Sequence, residues 1–158
     1  MAIMPTGPKI KKHYIIIVVA LLVISIGGRI YAAYWPTKDI KINGETLKVL
    51  VADTDKHRAV GLGSRADFGD YQGMLFIFPN VSQHAMVMRD MRFSLDIIWI
   101  RDKVIIDMAP NLEPEPGKTE NQLTPYFARL PSDMVLELPA GYISQNELKI
   151  GDMVEILD

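Results

Sequence analysis

Three arginines and four acids are the side chains whose types could do chemistry in this chain: Arg58, Arg65 and Arg89, with Asp53, Asp96, Glu137 and Asp152. A planar guanidinium matches the fork of a carboxylate or phosphate, so together they could line an anion pocket. They could equally form an ion-pair network that holds loops together. Asp96 interrupts the apolar run 95–100, where an unpaired carboxylate would be expensive to desolvate. A pair between Arg65 and Asp96 is therefore expected, and the candidates for a polar network or ligand site are Arg65, Arg89, Asp96, Glu137 and Asp152. Asp96 and Glu137 could also serve acid/base chemistry if burial drove their pKa values apart. Carboxylates in Leu-Asp and Leu-Glu-Leu settings more often accept hydrogen bonds from neighbouring backbone.

Nucleophile and metal signals are thinner. Ser64 and His57 are close in the chain, but Ser64 lacks the Gly-x-Ser-x-Gly elbow that would activate it. No catalytic residue is assigned. His84, Met86, Met88 and Met91 combine imidazole with thioethers, a soft set suited to Cu(I), and the first three would share one face of a strand. The commoner use of such methionines is to fill gaps in a core, here beside Phe76 and Phe78. No metal or other cofactor is implied. Cysteine is absent, which removes disulfides, thiolate nucleophiles and cysteine zinc sites together.

These residues need elements to position them, and the chain of 158 residues divides by hydropathy before it divides by structure. Residues 1–13 are a basic start with Lys9, Lys11 and Lys12, and residues 14–28 are an uncharged, mostly apolar run. Extended to Trp35, that run would span about 33 Å as a helix, enough for a hydrocarbon core. Arg29 could snorkel, and Tyr31, Tyr34 and Trp35 would form an interfacial belt. A transmembrane anchor over residues 14–35 is expected, with the basic end in the cytoplasm and residues 36–158 outside it. A cleaved signal is the competing reading, but Ile30 or Tyr31 would then stand where a small residue is wanted.

All 19 acidic residues follow Trp35 against 13 of the 17 basic ones, a net charge of about −6 for the domain. That balance, with no basic stripe, argues against nucleic acid as a partner. The partners expected are the membrane, through residues 14–35, and an envelope protein or small ligand.

Within residues 36–158 the period changes to two. Ile40 and Ile42, then Asn43-Gly44, then Leu47, Val49 and Val51 read as a hairpin on a type I′ turn. Asp53 or Thr54 can cap a short helix through Val60, stopped by Gly61 or Gly63. Residues 74–78 read as a buried strand, 84–88 alternate weakly, and 95–100 with 104–108 form a second hairpin around Arg101-Asp102-Lys103. Five prolines make 109–133 a long irregular loop. Residues 135–138 and 153–157 are further strands, with a helical turn near 144–148. A chain of this size buries so many strand faces by curling the sheet or doubling it. The fold expected is mainly β: a small barrel-like or sandwich domain of about seven or eight short strands with one or two short helices, preceded by one transmembrane helix.

Five blocks stand in a familiar order: Gly61-Leu62-Gly63-Ser64-Arg65, Gly73-Met74-Leu75-Phe76-Ile77-Phe78-Pro79, Leu95-Asp96-Ile97-Ile98, Leu136-Glu137-Leu138-Pro139-Ala140-Gly141 and Gly151-Asp152. In this order the chain resembles the domain of unknown function 192 family over residues 46–156. The resemblance implies a compact, mostly β fold, often exported or anchored, and implies no reaction. Family members carry a Trp-Met-Lys-Asn-Thr-like segment where this chain has Val87-Met88-Arg89-Asp90-Met91, so roles that depend on the missing Trp, Asn and Thr do not transfer. The reading that follows is a membrane-anchored extracytoplasmic binding or interaction module without enzymatic activity. The alternatives are a hydrolase-like enzyme around Arg65, Asp96 and Glu137, and copper binding by the His/Met cluster.

Overall fold

The structure, a computed structural model, describes residues 12–157, and of residues 28–33 the backbone only. The chain separates into two units, helix α1 (Lys12–Ala33) on one side of the division and everything from Trp35 onward on the other. The described side chains of α1, residues 12–27, amount to about 24 Å of helix. Among the described residues no helix is long and apolar enough to cross a membrane. The expected side-chain roles of Lys9, Lys11, Arg29 and Tyr31 lie outside the described residues.

The second unit is a seven-stranded curled sheet, a half-barrel in the order β5-β4-β6-β3-β2-β1-β7. Its first hairpin joins β1 (Thr37–Ile42) to β2 (Glu45–Ala52) across Asn43 and Gly44. Both turn residues have positive φ, 49° and 87°, the requirement of a type I′ turn. Helix α2 (Asp55–Val60) follows, with the Thr54 hydroxyl accepting from the His57 N–H at 3.1 Å and Gly61 ending it at φ 51°. α2 lies in the crossover that lets β2 pair in parallel with β3 (Gly73–Ser82), the one parallel pair of the sheet. β3 continues through Pro79 because the ladder to β6 breaks register between Ile77 and Ser82, where a missing N–H costs nothing.

β4 (Leu95–Arg101) and β5 (Val104–Leu112) make the second hairpin. Its tip holds Asp102 and Lys103 at positive φ without a glycine. β5 runs four residues further than the sequence suggests, because an edge strand tolerates Pro110. The irregular loop is thus residues 113–131, with a 3-10 turn at Glu120–Gln122. β6 (Ser132–Pro139) returns between β4 and β3, and α3 (Tyr142–Gln145) leads on toward β7 (Val154–Leu157). The two edges meet at one end: Ile105 donates to Asp152 O at 2.9 Å, Gly151 to Ile105 O at 2.9 Å and Val154 to Lys103 O at 2.8 Å.

Two cores result, one on each face of the sheet. The concave core gathers Ile40, Val49, Leu75, Ile98, Leu136 and Val154. The outer core packs Phe76, Met88, Ile97, Trp99 and Val135 beneath loops. The central strands therefore bury both faces, which is why residues 95–100, apolar but for Asp96, are all buried and do not alternate.

Candidate functional site

The outer face carries a pocket of about 280 Å³. β3 supplies Phe76 and Phe78, β6 supplies Glu137, α2 supplies Arg58, and the segment after β3 supplies Met86 and Arg89. Gly61 and Gly63 let the chain between α2 and β3 come close. A Cβ on Gly61 would touch the Phe76 ring at 3.4 Å, and one on Gly63 would stand 3.0 Å from Val60 O and 3.1 Å from Arg89 O. The positive φ of Gly61 also excludes most side chains.

The arginines are fixed in the wall. Arg58 donates to Asp53 O at 2.6 Å, to Ile77 O at 2.8 Å and to Asp55 Oδ1 at 2.5 Å, with its guanidinium 5.6 Å from the centre of the Phe78 ring. His84 stacks on Phe78 at 3.6 Å. Arg89 donates to Ala59 O at 2.8 Å and grips Glu120 of the 113–131 loop with a two-pronged hydrogen bond. That bond raises the pKa of Arg89 and lowers that of Glu120. The loop is tied down further by paired backbone hydrogen bonds between Met86 and Tyr126, and by Arg129 on Asp107, whose carboxyl that hydrogen bond holds low. Inside the loop Glu115, bound by Lys118 and Thr124, falls to about 2.

Glu137 is the exception among the charged residues that line the pocket. Its ladder partners are Met74 on β3 and Ile97 on β4, both apolar and buried. The residue is 5% exposed, and its Oε2 has no hydrogen-bond partner. Burial alone pushes its carboxyl up to about 8, so at neutral pH it holds a proton and presents an O–H donor beside the pocket. Gly73 makes room for this strand: a Cβ there would lie 2.6 Å from Glu137 O.

The other expected site residues go elsewhere. Asp96 points into the concave side, where Oδ1 accepts from Asn111 N at 2.8 Å and Gly141 N at 3.1 Å, and Oδ2 from Ile143 N at 2.8 Å. Arg65 lies over the Trp35 ring at 5.2 Å, so the expected Arg65–Asp96 pair does not form: backbone amides reach the carboxylate first. Asp96 and Glu137 lie on opposite faces of the sheet and cannot act as an acid/base couple. Asp152 accepts from Lys149 N at 2.7 Å and borders a shallow depression with Lys41 and Lys103. Ser64 donates its N–H to Asp90 O, and His57 stacks on Trp35, with no hydrogen bond between the two. Residues 84–88 form no shared strand face: Met86, Met88 and Met91 are buried in the outer core, and only Met86 makes a bridge. Of the five candidates the structure brings together Arg89 and Glu137. The partners Glu120 and Asp107 carry no signal in the sequence, because nothing in the spacing of an acid and a distant arginine announces their meeting.

The family model described as "Uncharacterized ACR", the domain of unknown function 192, matches residues 38–156, and the chain belongs to that family. No curated protein matches. Among solved structures the chain is similar to a Sinorhizobium meliloti 1021 protein described as a "putative transcription regulator". The TM-score is 0.69 at 27% identity, with 78% of this chain and 96% of that chain covered. It is also similar to a protein of unknown function from Novosphingobium aromaticivorans DSM 12444, with TM-score 0.63, 27% identity, and 77% of this chain and 84% of that one covered.

Proposed function

We propose that the β domain is a non-enzymatic module that binds a small ligand in the pocket beside Glu137, and that the N-terminal segment tethers it to the outer side of a membrane. One observation carries the binding reading: a carboxyl buried among apolar side chains, with an oxygen no protein group satisfies, at the edge of a pocket. An unsatisfied buried polar group costs a fold about 1–3 kcal/mol, and groups of this kind concentrate where function uses them. Apolar walls with a few convergent polar groups are the usual make-up of a small-molecule site. Binding is favoured over catalysis because no second reactive group is positioned against Glu137: Asp96 faces the other way, and both arginines are held by other partners.

Support for the tether is the sequence itself, an apolar run with lysines before it and every acid after it. The name of the Sinorhizobium meliloti neighbour would bring nucleic acid to mind, but a domain charge of about −6 argues against that partner.

Native mass spectrometry of the full chain, extracted gently from its envelope, tests the pocket. A small molecule should accompany the wild type and be missing from Ala85→Trp, which places an indole at the exposed edge of the pocket without touching either core. Equal retention by both proteins would move the site elsewhere. Protease added to spheroplasts should digest the domain; protection behind an intact membrane would end the outward topology.

A further inference from the structure

Resting on that binding reading, we infer that the pocket takes the carboxylate end of a small amphiphilic monocarboxylate, with Glu137 as the hydrogen donor to it and Arg58 and Arg89 as fixed positive charges in the wall. The charged and titratable groups that line the pocket are two guanidiniums and one carboxyl. Their compensating acids, Asp55 and Glu120, are not among the lining residues. From the strands beside it Glu137 is faced by Met74 and Ile97, neither of which titrates, and Phe76 and Phe78 wall the space on the β3 side. His84 turns its ring onto Phe78 and its Nε2 toward Asn80 O at 3.0 Å, and it is not among the residues that line the pocket.

An unpartnered carboxyl could meet an ammonium, a carboxylate or a neutral acceptor such as a hydroxyl, and the neutral one would gain little from the two guanidiniums. An ammonium would have to drag Glu137 into its ionised form in an apolar setting and then sit beside two guanidiniums. A carboxylate meets neither penalty. It accepts the Glu137 O–H, so one proton lies between two carboxyl groups, and the one negative charge the ligand brings is spread over that hydrogen bond and attracted by the two guanidiniums. Phe76, Phe78, Met86 and Leu62 then receive an apolar body. A volume of about 280 Å³ falls just below the usual range for drug-sized ligands, so that body is about one ring or a short chain.

The arrangement makes capture pH-dependent. Above about 8 Glu137 loses the proton it donates and turns repulsive, so affinity should fall about tenfold between pH 6.5 and 9 while the ligand stays ionised throughout. Calorimetry on the full chain in detergent, with phenylacetate, 2-phenylethylamine and 2-phenylethanol as probes of one shape, reads this directly. Phenylacetate should bind at least tenfold tighter than the other two at pH 6.5 and weaken at pH 9. Glu137→Gln keeps an N–H donor that cannot ionise, and should hold phenylacetate with little pH dependence. Glu137→Leu should lose the preference, with thermal melts confirming that both variants fold.

Tighter binding of 2-phenylethylamine, rising with pH, would overturn the inference and leave the binding reading standing. If no probe binds while Ala85→Trp still excludes the envelope-derived molecule, the carboxylate class is wrong but the pocket is right. If no probe binds and Ala85→Trp changes nothing, both fall.

Discussion

Asp96 and Glu137 sit on neighbouring strands, opposite Leu138 and Ile97, one rung apart in the same ladder. Both are buried acids in apolar strands, and they have met opposite fates. On the concave side three backbone N–H groups converge on Asp96, from β5 and from the turn that opens α3. On the outer side no donor reaches Glu137 Oε2. What separates them is where the connections run. The chain after β6 bends straight back over the concave end and brings Gly141 and Ile143 with it, whereas the outer face is roofed by side chains of loops whose amides are engaged with each other. One carboxylate is a staple. The other is a group waiting for something the chain does not supply.

The largest effect that could break this comparison is at the staple. Asp96→Ala leaves the Asn111, Gly141 and Ile143 amides without their acceptor, and at about 1–3 kcal/mol for each unsatisfied buried donor, partly relieved by water, the loss should be about 5 kcal/mol. Asp96→Asn should lose less, since one acceptor oxygen remains. Urea melts measure both. A loss below about 1 kcal/mol for Asp96→Ala would mean that the turn into α3 stands without it, and the contrast with Glu137 would collapse.

A smaller effect, opposite in sign, is expected at Glu137. The folded carboxyl binds its proton more tightly than the unfolded one, so the folded state loses stability as pH rises from about 4.5 to about 8, and the loss is complete above that. A shift of this size corresponds to at most about 5 kcal/mol, and to about half that once solvent entering by the pocket relaxes the penalty. Glu137→Gln should remove this slope and be the more stable protein at pH 9. Melts of the two proteins across pH 4.5 to 9 decide it. Parallel curves would show that Glu137 is solvated, and the pocket would lose its distinguishing group.

Much of the frame behind this contrast is legible in the sequence. Asn43-Gly44 marks its hairpin, Thr54 and Gly61 bound α2, and the apolar runs at 74–78, 95–100 and 135–138 all become strands. The fates of the two acids are not legible, for a physical reason. Alternation tells the faces of a strand apart only when one face is wet, and β4 and β6 bury both. Asp96 and Glu137 therefore look alike in one dimension, and only the register places them on opposite sides. Arg65 misleads similarly: it has the right charge and a glycine-bounded turn to deliver it, but it reaches the Trp35 ring instead of the Asp96 carboxylate. Residues 84, 86 and 88 have the spacing of one strand face, but the backbone there is irregular; Met86, Met88 and Met91 fill the outer core, the commoner use of methionine that the sequence also suggests.

The smallest effect expected is at the rim of the pocket, and it asks whether the outer face is as loosely specified as Glu137 suggests. Arg89 joins three parts of that face: its own segment, the end of α2 through Ala59 O, and the 113–131 loop through Glu120. Both side chains of the ion pair are substantially open to water, so screening and the entropy of holding two long side chains offset most of its attraction. The Ala59 bond is the less replaceable contact, because a helix-end carbonyl needs a donor. Glu120→Ala should therefore lower Tm by about a degree or two at low salt, an effect that 1 M salt removes, while Arg89→Ala should cost more and keep part of its cost in salt. The double mutant should match Arg89→Ala alone. If instead Glu120→Ala opens the 113–131 amides to hydrogen exchange, the loop is held by this one clasp, and the outer face is a cover that Arg89 keeps shut over the pocket.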